Sequence, residues 1–308
     1  MPTRTSQVVD VEPSPPLTQE LTNWSDNGPR PGRVGLWILI GAVCLGVGIL
    51  ANWPDDPKAE VVPAPRPTIS WPPLEKPLPS LWLEELTWTE IAQAQAAGYD
   101  SVLIATGGTE QNGPHLPTGK HNAIVRFAAQ EIATRRGRTL LAPVMAYVPE
   151  QPHQNFPGTI SLPAEVFQAV VEAAVQSFLT QGFKNVILLG DSGGNQEPLR
   201  AAARSLQIRC QSGQQVLFLD QYYAGHGQTT WLQEQGFDVA KLGTHAGLAD
   251  TSEWLAAQAN PLRNSEWLER TDLGNDGSPE LATAELGHKL LELKIAAALR
   301  QLEQAIPR

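Results

Sequence analysis

Four short apolar runs, separated by stretches with helical spacing, constrain this chain more than any other feature. They lie at 101–106, 139–148, 186–189 and 216–219. Between them, 122–136 carries apolar residues at helical spacing and stops at Gly137. The segment 164–181 is strongly amphipathic, with Val166, Phe167, Val170, Val171, Ala174, Phe178 and Leu179 along its buried side. Further helical patterns fall at 83–97, 197–206, 229–235, 250–258 and 279–304. Strands alternating with helices in this way form βαβ units. An α/β fold follows, with a mostly parallel sheet covered by helices on both faces.

This pattern occupies 80–308; what precedes it is different. Residues 1–33 are polar, contain prolines and have no sustained period, which predicts disorder. Residues 34–53 carry no charge, and about 20 helical residues cross a hydrocarbon layer of about 30 Å. Trp37 and Trp53 stand near the ends of this run, Arg30 and Arg33 before it, and Asp55 and Asp56 after it. The expectation is a single transmembrane helix in the cell membrane, with the N-terminus cytoplasmic and the globular domain extracytoplasmic. A cleaved signal peptide and a buried core helix are the rival readings of the run. Residues 54–79 contain nine prolines and read as a semi-rigid linker. The formal net charge of −10 argues against nucleic acid as a partner. Cys44 and Cys210 are the two cysteines and form no metal-ligand spacing.

Function points to the end of the first strand. Residues 107–122 form a glycine- and proline-rich loop holding Glu110, His115 and His121. Ligands bind open α/β sheets where such loops leave the carboxyl ends of strands. A second loop, Gly190-Asp191-Ser192-Gly193-Gly194-Asn195, follows the third strand. Its first five residues match the surroundings of the nucleophilic serine of trypsin-like proteases, but a strand–turn–helix context is foreign to that chemistry.

Four ordered motifs resemble the creatininase (creatinine amidohydrolase) family. Residues 110–117, E-Q-N-G-P-H-L-P, are similar to its E-Q-H-G-P-H-L-P. His153 with 156–162 resembles H-x-x-F-P-G-T-x-S-L, 190–195 resembles N-G-H-G-G-N, and 245–252 resembles H-A-G-E-x-E-T-S. The resemblance implies a three-layer αβα sandwich, metal-dependent hydrolysis of a small amide or other C–N bond, and a homo-oligomer.

The family's ligand pattern is rewritten here. Glu110 is kept, but Asn112 stands at a histidine position, His121 at the aspartate, Ser192 at the second histidine and Gly194 at the second glutamate. Amides and hydroxyls are poor ligands for transition metals. The expected centre is therefore one divalent ion (zinc, manganese or iron) rather than two, held by Glu110, His121 and, if the glycine turn redirects it, Asp191. His245 is expected in proton transfer, with Asp250 orienting it or binding substrate. Asn112, His115, His153, Ser192 and Asn195 are expected to face the small-molecule substrate. The altered ligands leave a second reading open, a catalytically inactive binding or scaffolding domain.

Overall fold

The computed structural model describes residues 69–307 apart from 73, 75, 259 and 260. The leader 1–33, the apolar segment 34–53 and most of the linker lie outside the described residues, and everything below concerns the compact unit 67–308. Among the described residues no helix is long and apolar enough to cross a membrane.

Four parallel strands form one sheet in the order β2-β1-β3-β4: β1 Ser101–Thr106, β2 Thr139–Leu141, β3 Asn185–Gly190 and β4 Gln215–Phe218. All six residues of β1 and of β3 are buried, as expected of central strands covered on both faces. Because side chains alternate along a strand, each strand feeds two cores. Leu103, Ala105, Ile187 and Leu189 pack with Ile124 and Ile132 of α2 (Lys120–Arg136) and Leu291 and Ile295 of α7 (Ala284–Ala305). Val102, Ile104, Val186 and Leu188 pack with Phe167 and Val171 of α3 (Ala164–Thr180) and Leu199 and Leu206 of α4 (Gln196–Gln207). The result is a three-layer αβα sandwich. Three further helices complete it: α1 Trp88–Ala96, α5 Gln228–Glu234 and α6 Leu248–Ala257.

Three expectations are corrected. The second strand stops at Leu141 rather than 148, because Pro143 has no N–H for the ladder. Thr87 caps a shorter α1 with Glu90 in a capping box, leaving 83–85 as a separate turn. Val166 and Val170 of α3 are 44% and 46% exposed; the buried stripe is Phe167, Val171, Val175 and Leu179, one residue every four.

From β1 the chain crosses to β2 on one side, then returns to place β3 on the other. The loops leaving β1 and β3 therefore diverge and open a crevice at their carboxyl ends, where such sheets bind ligands.

Candidate active site

Both loops singled out in the sequence open onto that crevice, a cavity of about 850 Å³. Its inner wall is built from charges that neutralise one another. His121, in the first turn of α2, places Nε2 2.9 Å from Glu110 Oε1 and Nδ1 2.8 Å from Asp191 Oδ2. Asp191 Oδ1 accepts from Tyr222 at 2.8 Å and from Lys294 of α7 at 2.7 Å. Lys294 also donates to Glu253 of α6 at 3.0 Å, and Gln228 donates to the other oxygen of Glu253. Beside this chain, Lys120 pairs with Asp250.

Burial alone would discharge these groups, but their pairing reverses it. Burial and the nearby Lys120 charge push His121 down; the bonds to Asp191 and Glu110 outweigh both and raise it to about 9. Burial would raise Asp191, yet Lys294 and His121 hold it far below the usual carboxylate range. The same opposition lowers Glu110, through His121 chiefly, and Asp250, through Lys120. Of the two acids on Lys294, Glu253 moves the other way, raised first by burial. Lys294 itself is held well above its ordinary value despite burial. Asp191, then Glu253, are the charges that hold it there.

The outer wall is open. Glu110 Oε2 lies 3.5 Å from His153 Nε2, and Glu110 Oε1 3.8 Å from His245 Nδ1. The two imidazoles stack with centroids 4.1 Å apart and planes 19° off parallel. One ligand atom from each of Glu110, His153 and His245 falls within 4.8 Å of the others. Two imidazoles and a carboxylate are a donor set for one divalent transition metal with positions left for water or substrate. A second carboxylate stands behind them. Glu150 is 3% exposed, and its Oε1 has no partner although it is buried. Burial, then the charge of Glu110, push its carboxyl up to about 8, so the Glu110–Glu150 pair holds a proton near neutral pH.

Glu110, His121, His153, Asp191, Ser192, His245 and Asp250 all line the cavity, as the sequence led one to expect. Asp191 reaches it bonded to His121, Tyr222 and Lys294, apart from the group formed by Glu110, His153 and His245. Asn112, His115 and Asn195 do not line it. The Asn112 amide donates to Glu110 O and Pro117 O, the Asn195 amide to Thr106 O and Gly107 O, and His115 bonds Thr251. The two amides brace buried backbone, which needs partners where water is excluded, and His115 is tied to a side-chain hydroxyl. Asp250 does not orient His245: it is taken by Lys120 and by the N–H of Ala246. His245 is held instead by its N–H to Asp276 and by its ring to the carbonyl of Gln111.

Glu150, Lys294, Lys120 and Glu253 were not singled out from the sequence. Lys294 carried a signal, since it falls in phase with the buried stripe Leu290, Leu291, Ile295, Ala298 of α7. The placing of Glu150 is tied to the glycine at 194. A Cβ at Gly194 would stand 1.8 Å from the carbonyl oxygen of Pro149. The loop bringing Glu150 to the site thus occupies the space a side chain at 194 would need.

Comparisons with known proteins agree with this fold. The chain is 32% identical over 208 residues to a mycofactocin precursor peptide peptidase of Mycobacterium ulcerans, covering 62% of this chain and 80% of that protein. It is 25% identical over 199 residues to a 3-dehydro-scyllo-inosose hydrolase of Thermotoga maritima, covering 65% of this chain and 62% of that one. Among solved structures, a creatinine amidohydrolase superposes with a TM-score of 0.60 at 22% identity, over 75% of this chain and 100% of that chain. A manganese creatininase also superposes with a TM-score of 0.60, at 21% identity over 74% of this chain and 100% of that chain. The family description "Creatininase: Creatinine amidohydrolase" matches residues 84–302, and the chain belongs to that family.

Proposed function

We propose that this protein is a metal-assisted hydrolase of a small amide or related C–N bond, with Glu110, His153 and His245 as the donors for one divalent ion. The observation that carries this reading is the convergence of those three groups on an open cavity. An ion bound there supplies polarisation of the scissile carbonyl and a more acidic water. The protein's own groups divide the remaining work. Glu150 holds a proton beside Glu110 and can donate it to a leaving amine. Asp250 lines the cavity, held in its charged form by the buried Lys120 behind it, and orients a polar substrate. His121 is bonded through both ring nitrogens to Glu110 and Asp191. Its part is to hold Glu110 in place and to supply positive charge where the family has an acid, and a ligand role for it requires one of those bonds to open. The peptidase relative extends the substrate class to a peptide bond.

The test is metal analysis of the full-length protein after separate loading with zinc and manganese. Close to one retained ion per chain is expected, lost in Glu110→Ala and in His245→Ala together with hydrolysis of an N-acyl amide panel. No retained ion and no turnover would leave a ligand-binding domain. We also propose that the apolar segment 34–53 anchors the enzyme with the catalytic domain outside the cytoplasm. Protease accessibility of residues 80–308 in intact spheroplasts tests this, and full protection until lysis would refute it.

A further inference from the structure

Gln111 lies inside the first loop motif, yet neither the hydrolase reading nor the charge network uses its side chain. The amide touches four groups at once. Its Nε2 is 2.8 Å from the carbonyl oxygen of Gly274, 3.0 Å from His153 Nδ1 and 3.0 Å from His245 Nε2, while its Oε1 is 2.9 Å from the N–H of Gly113. Ring and amide protons are not fixed by heavy-atom positions alone, but two of these partners are backbone groups with a single role. A backbone N–H only donates and a backbone carbonyl only accepts. The amide therefore has one orientation, with Oε1 to Gly113 and Nε2 to Gly274.

Proton counting then fixes both rings. The amide nitrogen has two hydrogens, and Gly274 takes one. His245 Nε2 also lies 2.9 Å from the backbone carbonyl of Gln111, so that nitrogen must carry hydrogen and cannot accept. The second amide hydrogen thus goes to His153 Nδ1, which must be a lone pair. In their neutral forms both rings are Nε2–H tautomers, but they present opposite ends to Glu110. His153 turns its N–H toward Oε2, and His245 turns its lone pair toward Oε1.

We propose that Gln111 is the positioning residue of this site, holding His153 as a hydrogen-bond donor and His245 as an acceptor on either side of Glu110. The assignment has a consequence for the metal reading, on which this part of the inference rests. His245 Nδ1 and Glu110 are ready to share a cation. His153 Nε2 joins them only if its proton moves to Nδ1, and the Gln111 amide must then turn over, giving up Gly113 and Gly274. Gln111 thereby restrains the third donor.

The experiment is long-range ¹H–¹⁵N NMR on metal-free, full-length protein labelled with [¹⁵N]histidine at about pH 8, where an ordinary imidazole is neutral. Resonances are assigned with His153→Gln and His245→Gln. Both rings are expected as Nε2–H tautomers. In Gln111→Glu the carboxylate offers only acceptors, so His153 should switch to Nδ1–H. His245, tied to the backbone of residue 111, should stay Nε2–H and serves as the internal control. Zinc affinity of that variant should rise about tenfold, the scale on which partners of a ligating imidazole act. An Nδ1–H tautomer at His153 in the parent protein would overturn the proposal. So would an unchanged His153 in a folded Gln111→Glu protein. Should that variant not fold, Gln111→Ala decides, with mixed tautomers at His153 supporting the proposal and a retained Nε2–H opposing it. Because the tautomers are read without metal or turnover, a failure of the hydrolase reading would leave this result standing.

Discussion

The two walls of the cavity solve the same electrostatic problem in opposite ways. The inner wall buries Asp191 and Glu253 and supplies its own cations, His121 and Lys294, at 2.7–3.0 Å. The outer wall sets Glu110 Oε1 against the Nδ1 of His245 at 3.8 Å, with Glu150 Oε1 left unpartnered behind them. One wall is internally satisfied and the other is completed from outside. The difference separates residues that keep the fold from residues that bind, although all of them line one crevice.

If that division is right, its largest consequence is at Lys294. Lys294→Met removes the cation shared by the buried Asp191 and Glu253, and breaking a buried pair by removing one partner costs about 3–5 kcal/mol. A urea midpoint shift of that size is expected. Adding Asp191→Asn and Glu253→Gln should recover part of it, since the uncompensated charge would be gone. A change below about 1 kcal/mol in the single variant would show that the inner wall is not the structural one.

The proton held between Glu110 and Glu150 gives a smaller, pH-dependent effect. Glu150 is raised from 4.5 to about 8, so the folded state binds this proton more tightly than the unfolded chain. Its contribution to stability is complete below pH 4.5 and is lost as the pH rises toward about 8. His121, raised from 6.5 to about 9, adds stability that is complete below 6.5 and lost through about 9. One differential proton corresponds to at most about 1.4 kcal/mol per pH unit. His115 and His226, both lowered to about 4 by burial, act in the opposite sense between about pH 4 and 6.5, so the test is a difference between proteins. In urea denaturation between pH 5 and 9 the stability of the parent relative to Glu150→Gln should decline as the pH rises toward about 8, while the fall above pH 6.5 due to His121 persists in both. An unchanged profile in the variant would remove Glu150 from the pair.

How much of this was legible in the sequence follows the same division. The apolar run Val102–Ala105 within β1 and the polar loop after it mark the carboxyl edge of a parallel strand without ambiguity. Local sequence also pointed to His121, Asp191, His153 and His245, because each sits in a short motif. The partners that give these residues their character lie far away along the chain. Lys294 is 103 positions from Asp191, and His245 134 positions from Gln111. A lysine in the apolar stripe of α7 signals burial, but only the fold names the carboxylate placed against it. Glu150 was hidden for another reason. Its role depends on the backbone contact between Pro149 and Gly194, and the absence of a side chain at Gly194 reads in sequence only as a lost ligand. The same limit explains Asn112 and Asn195, whose motif positions suggest substrate but whose amides are consumed by loop carbonyls.

The smallest expected stability effect lies on the outer wall and is the sharpest test of the comparison. His245 is 18% exposed, stacks on His153, and makes its ring bond to a carbonyl that water can reach if the ring is removed. Truncating it deletes a partly solvated ring and leaves no buried charge unpaired. His245→Ala should therefore change the urea midpoint by no more than about 1 kcal/mol, the range of substitutions that create neither a sealed cavity nor an orphaned polar group. Ion retention should nonetheless fall, since one of three donors is lost. The two readouts must separate. If stability fell as far as in Lys294→Met, the stacked imidazoles would belong to the structural wall. The open gap beside Glu110 would then be a consequence of packing rather than a place for a ligand.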